Sequence, residues 1–332
     1  MPVLHSTKDL RIVRPPTREE TGVGIFDYTD HYTVFHYGRM PDTLPGKGEA
    51  TCRMAAATFA MLEAARVRTH FRRVLPPTRI EFDLALVPRA TDGPPTAPNG
   101  NYLLPVQVIV RTELPQGSSV HRRLATGETT LAQLGLAAIP DPGEPLREPI
   151  VEYATTRTPV NRFLDPADAQ RLTGLDTARF GLLRRTALTV TRLLARHARD
   201  RGITYADGKL EFLLDSDGGL VLADSPGTPD ESRLLAAGVH CGKQLLRNWY
   251  TRNHLAIPVT QLIADRVPRD QWPRPARLPS EFLPVMSDLY QALADTWTDQ
   301  PHGDAPDLPA AARRAADLID THRPSATPGA AT

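Results

Sequence analysis

The sequence predicts an α+β protein with two lobes, a smaller β-rich lobe over residues 1–104 and a larger α+β lobe over residues 105–322. The length of 332 residues is enough for about two domains of ordinary size. Segments with strand character lie both before and after segments in which apolar residues repeat with helical spacing. Residues 323–332 are rich in Pro, Ala and Thr and are expected to form a mobile tail.

The individual elements follow from local composition and periodicity. Strands are expected where aromatic and β-branched residues cluster, at 26–37, 79–87 and 103–111. Helices are expected where apolar residues recur every three or four positions, at 49–66, 165–173, 180–202, 281–297 and 308–322. The segment 91–101 reads as a long exposed loop, and the proline-rich segment 136–166 is expected to wrap the surface.

Charge and hydropathy exclude several classes of partner. The chain carries 39 basic and 38 acidic residues, a net charge of +1, without a block of like charges, so neither a nucleic acid polymer nor a membrane surface is expected as a partner. Residues 1–14 lack the apolar core of a signal peptide, and a cytoplasmic location is expected. Cys52 and Cys241 lack metal-ligand spacing and are interpreted as buried hydrophobic residues.

Lysine is rare in this chain. Only four of the 39 basic residues are lysines. Arginine replaces lysine easily on a solvated surface, so the lysines that remain are enriched for sites that need a compact, rotatable ammonium. All four stand next to Gly or in turn-like segments, and they are Lys8, Lys47, Lys209 and Lys243. The alternative is that these lysines are accidental surface residues. Chance explains any one of them more easily than it explains all four together.

The segment 206–233 contains the most informative pattern. Two apolar runs flank 217–218, an Asp-Gly pair typical of a two-residue hairpin turn. That turn would place Glu211 directly opposite Asp224, with Cβ atoms about 4.5–5.5 Å apart. Two carboxylates at this distance repel unless a cation lies between them, so the pattern predicts a Mg²⁺ site, with Lys209 near the phosphates of a nucleotide.

The same register also predicts the two faces of the hairpin. Leu213 and Leu222 would share the face of Glu211, whereas Val221 and Ala223 would lie on the other face. The alternative is an exposed hairpin edge on which Lys209 simply bridges two solvated acids. A change of one residue in the turn would separate the two carboxylates.

A second candidate site lies at the end of the strand expected at 103–111. Arg111 ends this strand, and the next loop supplies Gly117, Ser118 and Ser119, whose backbone and hydroxyl donors suit a phosphate. His31 and His36 are five residues apart on an expected strand, point to opposite faces, and are rejected as a joint metal site.

Several of these stretches together resemble a known family. The sequence is similar to the SAICAR synthetase (phosphoribosylaminoimidazole-succinocarboxamide synthase) family over most of residues 6–250. The matching stretches are STKDLRIV at 6–13, TDHYTVFHYGRMPDTLPGKGE at 29–49, PVQVIVR with GSS at 105–119, DGKLEF with LADSPGTPDESR at 207–233, and GKQLLRNW at 242–249. The KLEF and TPDxSR elements at this separation are quite specific.

The resemblance implies a two-lobed fold of the ATP-grasp-like and kinase-like kind, with ATP and Mg²⁺ as cofactors. The implied reaction is phosphorylation of a carboxylate on a phosphoribosyl heterocycle, followed by attack of an amine on the acyl phosphate to form an amide. The residues carried over by position are Lys8 and Lys47 for ATP, Glu211 and Asp224 for the metal, Asp207 and Lys209 beside the reacting groups, and Arg111, Ser118, Asp230, Arg233 and Lys243 for the substrate. A homo-oligomer is compatible with this interpretation.

The chain also departs from the family pattern. Where the pattern has Asp-Arg and then Ser-x-Phe-Asp, this chain has His31 and His36 in place of the Arg and the last Asp. The acid expected after Asp224 is Ser225, and the aspartates expected in the DKQ and RDW elements are Gly242 and Asn248. A Thr-Lys-x-Glu segment with a following Asp is reduced to Thr155, Thr156, Thr158 and Asn161. These changes favour an altered carboxylate or amine substrate, as in coformycin/pentostatin-type or formycin-type nucleoside pathways, where the attacking amine could be intramolecular. The alternatives are an authentic SAICAR synthetase that joins aspartate, a non-catalytic nucleotide-binding protein, and, more weakly, a small-molecule kinase.

Overall fold

A computed structural model describes residues 3–4, 7–34, 37–88, 100–141, 143–156, 161–253 and 259–322. His36, most of the loop expected at 91–101, and the tail at 323–332 lie outside these residues. No helix within these ranges combines the length and the apolar composition needed to cross a bilayer.

The N-terminal part is a five-stranded antiparallel sheet with one long helix. Its elements are β1 (Val3–Leu4), β2 (Lys8–Arg14), β3 (Gly22–Tyr28), β4 (His31–Thr33), β5 (Arg39–Thr43), α1 (Lys47–Ala64), β6 (Phe71–Leu75) and β7 (Arg79–Leu84). The sheet order is β1-β2-β3-β7-β6, and β4 and β5 form a separate hairpin. The helix predicted at 49–66 and the strand predicted at 79–87 are confirmed.

The single strand predicted at 26–37 is wrong, because the chain changes direction at Asp30. The Asp30 carboxylate accepts the backbone N–H groups of Gly46 (3.2 Å) and Gly48 (2.9 Å) and thereby holds the turn that begins α1. Gly48 has to be glycine, because a Cβ atom there would lie 2.4 Å from the carbonyl oxygen of Tyr28. The segment therefore ends β3 at Tyr28 and resumes as β4 at His31.

The C-terminal part has a second sheet covered by helices. Its elements are β8 (Tyr102–Arg111), α2 (Ser119–Ala125), α3 (Leu131–Leu134), β9 (Ile150–Thr155), β10 (Phe163–Leu164), α4 (Pro166–Thr173), α5 (Thr177–Arg199), β11 (Ile203–Leu214), β12 (Leu220–Ala223), β13 (Ser232–Ala236), β14 (Val239–His240), α6 (Lys243–Arg252), α7 (Val259–Ala264), α8 (Phe282–Thr298) and α9 (Leu308–Thr321). The sheet order is β10-β9-β8-β11-β13-β14, with β12 also paired to β11.

The predicted helices of this part are confirmed, and one loop prediction is partly wrong. Asp165 caps α4 and Pro166 is its first residue, as expected. The proline-rich segment 136–166 does not simply wrap the surface, because β9 lies within it and pairs with β8 along its length. Ile150, Tyr153, Ala154 and Thr155 of this strand are buried, and no proline interrupts Ile150–Thr155.

The predicted hairpin exists, but its register is shifted by one residue. Glu211 pairs with Ala223 rather than with Asp224, and Leu214 pairs with Leu220. The connection is wider than the Asp-Gly turn because the Asp215 side chain accepts the backbone N–H groups of Asp217 (3.0 Å) and Gly219 (2.6 Å).

The shift reverses the predicted faces of β12. Leu222 packs in the main core, whereas Val221 and Ala223 form a small cluster with Leu213. The prediction that Leu222 shares a face with Leu213 is therefore wrong, as is the direct pairing of the two carboxylates.

One continuous apolar core joins the two parts of the chain. Helix α1 packs against α8, and Met54 and Leu62 of α1 belong to the same buried cluster as the strands of the second sheet. The lobe boundary near residue 105 stays a prediction.

Candidate active site

The candidate site is built on one edge of β11. Strand β13 covers this edge as far as Gly208, and β12 covers it from Glu211 onward. The chain between β12 and β13, residues 224–231, leaves the sheet and returns to it, and the carbonyl oxygen of Glu231 accepts the backbone N–H of Lys209 at 2.8 Å. The loop thus brings Asp224, Asp230 and Glu231 to the place where β11 presents Lys209.

Five charged side chains meet there, and we call them the lysine cluster: Lys8, Lys209, Glu211, Asp224 and Glu231. The Lys209 ammonium nitrogen lies 3.1 Å from Glu211, 3.2 Å from Asp224 and 2.8 Å from Glu231. Lys8 bonds to Asp224 and lies 3.5 Å from Glu231. Two ammonium groups therefore share three carboxylates.

The carboxylates converge despite the shifted register because Asp224 leaves the strand. Its φ of 66° lies in the left-handed region, which turns the side chain away from the direction that strand alternation would give. The sequence predicted direct pairing of Glu211 with Asp224, whereas the structure brings both carboxylates to the Lys209 ammonium.

Within the lysine cluster, neighbouring charges lower the pKa of Asp224 and raise the pKa of Lys209. Burial alone would raise the pKa of Asp224, but Lys8 and Lys209 hold it far below its usual value. Burial would likewise lower the pKa of Lys209, but Glu231, Glu211 and Asp224 raise it well above its usual value. Asp224 and Lys209 are therefore ionised near neutral pH.

The oxygen donors of the lysine cluster fit a hard divalent cation. Glu211, Asp224 and Glu231 already converge on one positive charge, and Mg²⁺ prefers carboxylate oxygens together with water and phosphate oxygens. In the conformation seen here the Lys209 ammonium lies between them, and no three His, Cys, Asp or Glu side chains of the described residues are arranged to hold a metal ion. A cation held by Glu211 and Asp224 would therefore take the place of this ammonium.

Two more lysines meet at Asp230. Lys47 is fully buried, and its ammonium lies 2.7 Å from the Asp230 carboxylate and 5.4 Å from the centre of the Tyr290 ring. Lys243 donates to the backbone carbonyl of Asp230 at 2.6 Å. Burial lowers the pKa of Lys243 to about 8. Lys47 is thus placed against Asp230, and its predicted contact with ATP stays a prediction.

A second group of charges, which we call the arginine cluster, comprises Arg111, Arg123, Glu152, Asp207 and Arg233. Asp207 accepts from Arg111 at 3.1 Å and from Arg233 at 2.5 Å. Glu152 accepts from Arg111 at 2.9 Å and from Arg123 at 2.7 Å. Arg111 ends β8 as predicted, but it is almost completely buried and held by four side chains, whereas Arg233 is more exposed.

The loop after β8 completes the arginine cluster. Ser118 caps α2 and lies 3.4 Å from Arg111, and Ser119 lies 3.3 Å from the same guanidinium. Arg233 donates to the carbonyl oxygen of Gly117 at 2.9 Å. Asp207, predicted beside the reacting groups, is therefore bound between two guanidinium groups and orients them.

A cavity of about 410 Å³ connects the two clusters. Six of the predicted site residues line it: Arg111, Asp207, Lys209, Asp230, Arg233 and Lys243. Lys8, Lys47, Ser118, Glu211 and Asp224 are not in its wall but lie behind residues that are.

Sequence reasoning missed two charged residues of this wall, Glu231 and Arg247. Glu231 occupies the unspecified position of the TPDxSR element, so the resemblance assigned it no role. Arg247 lies on α6 one turn after Lys243, a spacing that places both side chains on one helix face. That spacing was the available signal.

The residues that depart from the family pattern have different surroundings. Ser225 is fully buried and lies 3.1 Å from the Lys8 ammonium and 2.6 Å from the Tyr28 hydroxyl. Asn248 accepts from Gln244, and Gly242 precedes α6. Asn161 lines the cavity itself. Burial lowers the pKa of His31, which lies beside Arg39 and Asp9.

Comparison with known proteins gives a consistent result. The sequence profile of the SAICAR synthetase family matches residues 16–260. A provisionally named phosphoribosylaminoimidazole-succinocarboxamide synthase of Archaeoglobus fulgidus is 32% identical over 92% of this chain and 96% of its own length. The phosphoribosylaminoimidazole-succinocarboxamide synthase of Thermoplasma acidophilum is 27% identical over 83% of this chain and 93% of its own length.

Solved structures share the fold. The SAICAR synthase of Saccharomyces cerevisiae in complex with SAICAR superimposes with a TM-score of 0.67 and 21% identity, over 91% of this chain and 95% of its own. A type-2 SAICAR synthetase in complex with ADP gives a TM-score of 0.58 and 21% identity, over 83% and 100% of the two chains. With these likenesses and the sequence matches, the chain belongs to the SAICAR synthetase family, whose members are ATP-dependent ligases that form C–N bonds.

Proposed function

We propose that this protein joins the carboxylate of an aminoimidazole ribonucleotide to the amino group of aspartate, with conversion of ATP to ADP and phosphate. The observation that carries the proposal is the cavity that links an acid-rich lysine cluster to an arginine cluster. The acid-rich end could receive the Mg²⁺ that accompanies ATP, and the arginine-rich end could receive the phosphate of a ribonucleotide. Curated relatives named as synthases of this kind support the same reaction.

At the lysine cluster, Glu211 and Asp224 would hold Mg²⁺. The bound ion would neutralise charge on the phosphate oxygens of ATP during phosphoryl transfer. Lys209, released from these two acids, and Lys8 then supply ammonium groups to the same phosphates. Glu231 keeps Lys209 at the cavity wall through its 2.8 Å contact.

The first step forms a bond between a carboxylate oxygen of the ribonucleotide and the γ-phosphorus of ATP, and ADP leaves. In the second step the amine nitrogen attacks the acyl carbon, phosphate leaves, and the nitrogen loses a proton. Cations in a partly desolvated cavity stabilise the charge that develops in both steps. Lys209 lines the cavity where this charge would appear.

At the other end, Arg233 is placed to bind the ribose phosphate. Asp207, Gly117 and Gln244 fix its guanidinium, whose remaining N–H donors can serve a phosphate. Ser118 contacts Arg111, which lines the same cavity, and Lys243 and Arg247 add positive charge to its wall.

A second candidate is a related ligase of specialised nucleoside biosynthesis, of the coformycin/pentostatin or formycin type. One observation favours it: a neutral amide, Asn161, lines the cavity where the family pattern has an acid. The cavity wall then carries five cationic side chains, Arg111, Lys209, Arg233, Lys243 and Arg247, against three acids, Asp207, Asp230 and Glu231. Such a change would alter which amine is accepted.

The test is incubation of the purified protein with MgATP, carboxyaminoimidazole ribonucleotide and aspartate. We expect ADP and the succinocarboxamide product in equal amounts, measured by chromatography and mass spectrometry. Omission of aspartate should stop product formation, and Glu81→Gln, which removes an acid that pairs with Arg73 and does not line the cavity, should leave the rate unchanged. ATP turnover without aspartate, giving a cyclised product, would favour the second candidate, and no turnover at all would contradict both.

A further inference from the structure

His70 is a buried histidine that the proposed reaction does not use directly. It precedes β6, is only 2% exposed, and lies among the rings of three phenylalanines. The centroid distances are 6.3 Å to Phe26, 5.5 Å to Phe59 and 4.7 Å to Phe82. A polar ring in such apolar surroundings is costly unless it is hydrogen-bonded, so its partner is informative.

That partner is the backbone of Asp224. The His70 Nε2 atom lies 3.1 Å from the Asp224 carbonyl oxygen. A carbonyl oxygen can only accept, so the hydrogen of the ring must be on Nε2. The bond therefore fixes both the tautomer of His70 and the direction of the Asp224 peptide.

The Asp224 peptide needs such a restraint. A φ of 66° is unfavourable for an aspartate, yet this conformation directs the carboxylate toward Lys8 and Lys209. If Asp224 relaxed to an extended conformation, strand alternation would carry its carboxylate to the opposite side of β12.

Backbone hydrogen bonds also join the segment around His70 to β12, close to Asp224. The N–H of His70 donates to the carbonyl of Leu222, and the N–H of Leu222 donates to the carbonyl of Arg68, both at 2.9 Å. Residues 68–70 thus run beside β12, in parallel, opposite the edge that pairs with β11. Main chain and side chain of His70 together contact residues 222 and 224.

We propose that His70 is a positioning residue that keeps Asp224 in the left-handed conformation from which its carboxylate can bind the cation. The proposal depends on the metal role of Asp224 given under the proposed function. His70, in the N-terminal part of the chain, would thus control the conformation of Asp224 in the C-terminal part. Loss of an outer partner of a metal ligand typically weakens metal binding by about 10- to 100-fold.

The experiment compares His70→Phe with His70→Gln. His70→Phe fills the aromatic surroundings but removes the donor, and His70→Gln retains an N–H donor. We expect His70→Phe to weaken binding of Mn²⁺ in the presence of ADP by about tenfold, measured by electron paramagnetic resonance, and His70→Gln to recover most of it. His197→Phe is the matched control, because His197 also bonds to a carbonyl oxygen, that of Trp297 at 2.8 Å, away from the site.

Two further measurements separate the outcomes. Asp224→Asn tests the metal role itself: if it binds Mn²⁺ like wild type, the metal assignment fails. If Asp224→Asn loses binding but His70→Phe does not, only the His70 proposal is overturned. Should His70→Phe not fold, ¹⁵N-histidine NMR of the wild-type protein decides, because a hydrogen on Nδ1 instead of Nε2 would overturn the proposal and a protected Nε2–H signal would support it.

Discussion

The lysine cluster and the arginine cluster lie at two ends of one cavity, but they hold charge in different ways. In the lysine cluster two ammonium groups share three carboxylates, so acid is in excess. In the arginine cluster three guanidinium groups share two carboxylates, so positive charge is in excess. An excess of acid suits exchange of an ammonium for a metal ion, whereas an excess of planar donors suits a bound phosphate.

The two clusters also differ in mobility. An ammonium is a compact charge that can rotate away from one acid to another, whereas a guanidinium held by two or more partners is fixed. Lys209 contacts three acids and lines the cavity, while Arg111 in the same wall is almost completely buried and held by four side chains. We therefore propose that the lysine cluster serves catalysis and the arginine cluster binds the substrate, and four predictions test this division.

The largest effect is expected from neutralising one acid of the lysine cluster. Glu211→Gln or Asp224→Asn keeps the shape but removes a metal oxygen, so we expect ADP formation to fall by at least about a hundredfold. Initial rates at saturating Mg²⁺ measure it, and thermal unfolding checks that the variants fold. A rate close to wild type in either variant would remove the catalytic half of the comparison.

Arg233→Ala is expected to act on binding. Loss of a charge-assisted hydrogen bond costs about 1.5–3 kcal/mol, so KM for the phosphorylated substrate should rise by at least about tenfold, with kcat little changed. Arg122→Ala is the matched control, because Arg122 is exposed and bonds to Glu128 outside the cavity. A fall in kcat at unchanged KM would show that the arginine cluster serves the reaction instead.

Glu231 tests which acid of the lysine cluster matters most for catalysis, because it contacts Lys209 and also lines the cavity. Glu231→Gln keeps a hydrogen-bond acceptor for Lys209 but removes the charge, and we expect kcat to fall by about tenfold, less than for Glu211→Gln. The two rates measured side by side test this order. If Glu231→Gln were the more damaging change, Glu231 rather than Glu211 would be the principal metal ligand.

The smallest effect concerns Lys243 and pH. Burial lowers its pKa to about 8, so the ammonium is present below that pH and is lost as the pH rises through it. Binding of an anionic substrate should therefore weaken between about pH 7 and 9, seen as a several-fold rise in KM. In Lys243→Met the KM should be higher and flat over this range, and a wild-type KM that does not change would contradict the role.

Local patterns predicted several of the elements that frame the site, because periodicity and capping act over a few residues. The helix that starts at Lys47, the Asp165 cap and the strand that ends at Arg111 are examples. The register of β11 with β12 could not be predicted, because the Asp215 side chain closes a wider turn than the Asp-Gly pair indicates.

The site itself depended on information that no local pattern carries. Glu211 and Asp224 were identified correctly as neighbours, but the left-handed conformation that unites them at Lys209 depends on contacts with a distant part of the chain. Arg247 and Glu231 were missed because their roles arise only when α6 and the 224–231 loop meet the same cavity.

The loop at 224–231 is fastened to β11 at both ends, since β12 fixes its start and β13 fixes its finish. Most of its side chains are buried, so the two fixed ends define where Asp224 and Glu231 reach Lys209. In this protein a serine stands at 225 and a glutamate at 231, side by side around the same Lys8 ammonium. A substitution at either position would change the polar or charged groups around Lys8, while β12 and β13 still hold both ends of the loop.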